Sequence, residues 1–92
     1  MKSIIQTEKE CFICRTTYSL EDHHIFGGSN RPHSEKYGLK VWLCQRHHTG
    51  SAGVHSDPGL MMRLRQVGQR AFEARYGDRE DFLKIFRRNY LG

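Results

Sequence analysis

The sequence predicts a small α+β domain in which two short β-forming segments are stapled by a metal-binding set of cysteines and histidines and followed by two helices. Three observations lead there. The chain has 92 residues, and a domain of roughly this size buries only about 60% of the surface its unfolded chain exposes, so a staple beyond the apolar core is expected. Cys11-Phe12-Ile13-Cys14 and Cys44-Gln45-Arg46-His47 offer two soft-ligand pairs at one spacing. From Asp57 onward, apolar residues recur at helical intervals.

The elements follow in order. Residues 1–92 read as one domain: 1–10 a lead-in with Ile4 and Ile5 packing on the core, 11–56 the zinc knuckle and β-rich core, 57–92 a helical C-terminal part. Tyr18 to Phe26 runs extended until Gly27-Gly28 permits a sharp turn. The polar stretch Ser29 to Lys36, with Pro32 inside it, reads as a loop, and Leu39 to Leu43 as the second strand, rich in β-forming types. Cys44 to Ser56 has no regular apolar period and reads as a short helical turn followed by loop. Asp57-Pro58 supplies an N-cap and a first-turn proline, after which Leu60, Leu64, Val67, Ala71 and Phe72 share a helical face. Gly77 is placed to end that helix and Asp78 to cap another, with Phe82, Ile85 and Phe86 on one side. These helices bury a common apolar stripe and turn Arg63, Arg70, Arg87 and Arg88 to solvent or to a DNA backbone.

Composition narrows the function classes. The net charge of +5 and a pI near 9.4 favour a polyanionic partner. Apolar runs fall far short of the ~20 residues that span a bilayer. Three cysteines cannot all pair with one another, and no apolar signal segment follows Met1. A cytoplasmic protein with reduced thiols is therefore expected.

Two pairs at equal spacing let four soft ligands converge tetrahedrally on zinc, and such binding stabilises the fold directly. Isolated buried cysteines behave as small hydrophobes, and a redox Cys-x-x-Cys would leave the matching Cys-x-x-His unexplained. Zinc accounts for both pairs. Cys11, Cys14 and Cys44 are three ligands; His47 has the regular spacing for the fourth, and adjacent His48 is its competitor. Of the histidines left over, His23-His24, His48 and His55 bracket the hairpin. Neighbours on a strand point to opposite faces, so His23 and His24 take different tasks. Imidazole is both a common metal ligand and, with an unperturbed pKa of about 6.5, a proton acceptor near neutrality. The set favours a second, catalytic metal.

In this order (Cys11-x-x-Cys14, then Asp22-His23-His24-Ile25, then Leu43-Cys44-x-x-His47-His48), the motifs resemble those of the zinc-containing HNH endonucleases, the ββα-metal or His-Me finger group. The resemblance spans Cys11 to His55. It implies a ββα-metal core with a structural zinc knuckle, and a phosphodiester hydrolase acting on DNA. Carried onto these positions, His23 and His48 look like ligands of a catalytic magnesium or manganese, His24 like the general base, and His55 like a further ligand or phosphate contact. The family's middle Asn has no counterpart in Lys36-Tyr37-Gly38-Leu39. Asn30, or else a backbone carbonyl, is then left to fix the His24 tautomer.

Arg31, His33, Lys36 and Arg46 flank the site in sequence and are candidates to hold the DNA backbone, which positions a duplex without reading bases. Low sequence specificity follows, as does a setting in phage or mobile-element DNA processing or recombination, by resemblance. A double-strand cut by one site per chain calls for a homodimer or a larger complex, and Met61, Met62 or Phe86 could serve such an interface or the core. The rival expectation is a catalytically silent zinc module that binds nucleic acid. A metal-carrying protein is the third, and two adjacent histidines beside a third argue against pure binding.

Overall fold

In the computed structural model, which describes residues 2–92, strands β1 (Leu20–His24) and β2 (Lys40–Cys44) form a two-stranded antiparallel sheet. Leu20 lies opposite Cys44 and His24 opposite Lys40. Between the strands come a 3-10 turn (Gly28–Asn30) and helix α1 (Arg31–Tyr37); after them come α2 (Gln45–His48), α3 (Pro58–Arg75) and α4 (Arg79–Phe86). The described residues are thus a small α+β fold. No helix among them is long and apolar enough to cross a membrane.

Both strands sit where expected but are shifted at their ends. The first begins after Ser19, which adopts a left-handed φ of 52°, and stops before Ile25 and Phe26, which turn inward to the core. The expected loop over Ser29 to Lys36 is a helix instead. Pro32 in its first turn is compatible with helical φ and lacks only an N–H that the first turn leaves unpaired anyway. Ser34 then anchors the helix from its buried side: its hydroxyl accepts from the Phe26 N–H at 3.0 Å and donates to the Phe26 carbonyl at 2.8 Å. Gly38 closes α1 with φ 69°, a conformation other residues adopt only at a cost.

The lead-in lies along β2. Ile4 N–H donates to the Gly38 carbonyl at 3.0 Å, the Gln6 side chain accepts from Trp42 N–H at 2.8 Å, and Ile4 and Ile5 pack on the core. Asp57 caps α3 by accepting from the N–H groups of Gly59 and Leu60. That helix ends at Arg75, with Tyr76 closing it one residue before Gly77. Asp78 and Asp81 form a reciprocal capping box at the start of α4.

Gly68 sets how α3 meets the hairpin, since a Cβ there would lie 2.9 Å from the Phe26 ring and 3.1 Å from Ile25. Around this crossing Phe26, Phe72, Phe82 and Phe86 are all buried. Phe82 and Phe86 stack at 4.5 Å between ring centres, and Phe26 lies tilted on Phe86 at 4.7 Å. Phe86 is therefore core, not interface. Phe82→Ala should cost about 3–5 kcal/mol, the usual range for emptying a fully buried aromatic site. Urea unfolding with metal content held constant checks it.

Candidate metal centres

Cys11 and Cys14 are presented by a tight turn in which the Arg15 N–H donates to the Cys11 carbonyl at 2.8 Å and Arg15 takes a left-handed φ of 65°. Cys44 ends β2 and caps α2, whose single turn brings His47 back over it. The four donor atoms converge. Cys14 Sγ and Cys44 Sγ are 3.8 Å apart, and His47 Nδ1 lies 3.2 Å from Cys44 Sγ and 3.8 Å from Cys11 Sγ. Bonds of about 2.3 Å to sulfur and 2.0–2.1 Å to nitrogen would place tetrahedral S···S edges at roughly 3.8 Å and S···N edges at roughly 3.5 Å. This cluster can hold a metal ion, and its donors and spacing are compatible with zinc.

The electrostatics agree with ligation. Burial pushes the Cys11 thiol up, but the N–H groups of Cys14, Cys44 and Ile13 together bring it down to about 6. Its thiolate, the ligating form, is thus prepared by the backbone. Burial, with Cys11 and Cys14 close by, raises Cys44 instead. Of these two thiols, Cys11 gives up its proton first.

His48, next along α2, points to a different cluster. Its ring centre lies 5.2 Å from that of His23 and 5.1 Å from that of His55, and the three rings' ligand atoms fall within 4.8 Å of one another. One turn of helix therefore sends consecutive histidines to separate sites. His48 Nδ1 pairs with Glu21 Oε1 at 2.6 Å, which orients the ring and leaves its other nitrogen for the cluster, as outer carboxylates do for metal-bound histidines. His23 is only 4% exposed, and its Nε2 has no hydrogen-bond partner. Such an orphaned buried nitrogen is rare and needs an explanation, and a bound cation would supply one. Burial foremost, then the neighbouring His48, His55 and His24 and the Arg65 charge, drives His23 down to about 3. The imidazole stays neutral, as a ligand must. The donor set fits a cation.

His24 borders the same cleft as His23 but turns its Nε2 to a different partner. Its Nε2 pairs with Glu35 Oε1 at 3.1 Å, and Glu35 Oε2 accepts from Lys40 Nζ at 2.6 Å. Lys40 is 3% exposed and also approaches Asp22 Oδ2 at 3.6 Å. Asp22, His24 and Glu35 are grouped closely enough to suggest a third metal site, but the Lys40 ammonium already supplies their counter-charge.

A cleft of about 400 Å³ opens beside His23, His24 and His55, lined also by Met61 and Arg65, and an adjoining hollow adds Asp22, Arg31 and His48. Arg31 thus reaches the site. His33 packs edge-on against Phe86 with ring centres 5.8 Å apart, Lys36 lies over the Tyr37 ring, and Arg46 is exposed on α2. Asn30 is occupied elsewhere, its amide donating to the Phe86 carbonyl at 3.2 Å, so the partner of His24 is Glu35. Sequence reasoning missed Glu21, Glu35, Lys40 and Arg65. Glu21 alone carried a signal: it lies two residues before His23, hence on the same strand face.

No family profile, curated protein or solved structure matches the chain.

Two outcomes are expected. Cys14 is exposed, so Cys14→Ser reports ligation and not packing. This variant, or dialysis against a strong chelator, should cost at least ~3 kcal/mol, a fall in Tm of roughly 12–24 °C for a domain of this size. Circular dichroism with metal analysis reads it. Second, Glu35 is held down to about 2, first by its bond from Lys40 and then by His24. A carboxyl lowered by folding stabilises above its unfolded pKa of about 4.3, and that contribution disappears as pH falls toward 2. Carbon-13 titration of the Glu35 carboxyl should show a midpoint near 2, and a midpoint above 4 would break the network.

Proposed function

We propose that this chain is a small metal-dependent DNA endonuclease of the HNH, or ββα-metal, type, with zinc in the Cys11–Cys14–Cys44–His47 knuckle and a divalent ion on His23, His48 and His55. The observation that carries this reading is the convergence of three imidazoles from β1, α2 and the loop before α3, with the buried His23 Nε2 unpartnered among them and His24 lining the same cleft. A structural zinc module has no use for such a second cluster. Magnesium or manganese is the expected ion; an all-imidazole donor set accepts manganese more readily than magnesium.

The residues divide the work. Glu35 accepts the His24 Nε2 proton, which leaves Nδ1 as the basic nitrogen. As water forms its bond to phosphorus, His24 Nδ1 takes the water proton, the bond from phosphorus to the leaving sugar oxygen breaks, and that oxygen takes a proton from solvent. The imidazolium so formed is stabilised by Glu35, whose charge Lys40 balances. A base positioned this way contributes about 10²–10⁴-fold. When bound, a divalent ion on the histidine cluster supplies a Lewis acid that offsets negative charge on the phosphorane and on the departing oxygen. Arg31 and the net charge of +5 hold the strand by its phosphates, which gives weak sequence preference.

The test is nicking of supercoiled plasmid with manganese or magnesium, with and without chelator. His24→Ala, confirmed to retain its zinc, should lose at least 10²-fold, and Glu35→Gln should lose less while shifting the pH–rate profile. Equal DNA binding by wild type and His24→Ala with no cleavage by either would instead make the chain a zinc-bearing nucleic-acid-binding module.

A further inference from the structure

Arg65 is the one cationic side chain that lines the cleft beside His23 and His55, and no carboxylate lines that cleft. The aliphatic stem enters from α3, and the guanidinium carbon stands 5.5 Å from the centre of the Tyr90 ring. Tyr90 is fixed in turn: its N–H donates to Gln69 Oε1 at 2.7 Å, and its carbonyl accepts from Gln66 Nε2 at 3.1 Å. The guanidinium therefore rests on a held platform, yet its Nε is buried without a hydrogen-bond partner, and no ion pair among the described residues includes it.

An unpaired guanidinium beside a cluster of cation ligands is an electrostatic conflict. Two positive charges lining one cleft repel unless an anion lies between them. Guanidinium donors in a fixed fork match phosphoryl oxygens closely. We infer that Arg65 and the His23–His48–His55 cluster together form a phosphoryl-binding site, in which Arg65 donates to a non-bridging oxygen of the phosphodiester held by the cluster's cation. This rests on the endonuclease reading and deepens it: the cleft is built for a metal–phosphate pair, and metal and phosphate each tighten the other's binding.

The test uses Arg65→Met, which keeps the stem over Tyr90, and Arg65→Lys, which keeps a point charge. Manganese binding is followed by electron paramagnetic resonance with and without inorganic phosphate, alongside plasmid nicking. In wild type, phosphate should tighten manganese at least tenfold. Arg65→Met should bind manganese alone as well as wild type or better, lose the phosphate effect and nick at least a hundredfold more slowly; Arg65→Lys should fall between. Unchanged phosphate coupling and nicking in a folded Arg65→Met protein would discard the phosphoryl site and leave the endonuclease standing. Conversely, phosphate-induced shifts of the Gly27 and Gly28 amide resonances that vanish in Arg65→Met, in a wild type that cuts no DNA, would keep the anion site and discard the endonuclease.

Discussion

Everything near the histidines depends on the register in which Cys44 ends β2 opposite Leu20. That register fixes where the α2 turn begins, and α2 is only four residues long. Because successive helical residues point about 100° apart, His47 returns to the three thiols while His48 swings to His23 and His55. A one-residue slip would exchange the faces of Glu21, Asp22, His23 and His24. It would also pull His48 out of its cluster. The four-donor knuckle resists that slip, because it ties Cys11 and Cys14 to the end of the very strand whose register matters.

The two strand faces are electrostatically distinct. Toward His23 lie the imidazoles of His48 and His55, the Glu21 carboxylate that holds His48, and the Arg65 cation. Toward His24 lie Asp22 and Glu35, with the buried Lys40 ammonium between the two carboxylates. Adjacent histidines with the same chemistry are thus given different environments by the alternation of the strand alone.

Much of this was legible from the residues, for identifiable reasons. Asp57-Pro58 and the apolar spacing from Leu60 to Phe72 are local signals, and α3 begins where they place it. The paired Cys-x-x-Cys and Cys-x-x-His carry their geometry in their spacing, though only the structure separates His47 from His48. Helix α1 was hidden because its stability comes from the buried Ser34 hydroxyl bonding Phe26 and from Gly38, not from an apolar stripe. The partner of His24 was hidden with it: Glu35 lies on that helix, and Asn30, its nearest competitor in sequence, turns away to Phe86. Arg65 was illegible because its meaning lies in what it lacks, a carboxylate within reach, which no sequence pattern records.

The missing side chain at Gly68 has a further consequence. With no Cβ between them, α3 rests on Phe26 and Ile25 at van der Waals distance, and Arg65 and Met61 stand one and two turns before that contact on the same helix. The wall that carries Arg65 is therefore pinned to the wall that carries the histidines. The two cannot swing apart or shut like jaws without unpacking the aromatic core. The cleft is an aperture of fixed width, and whatever is accommodated there is selected by its own cross-section.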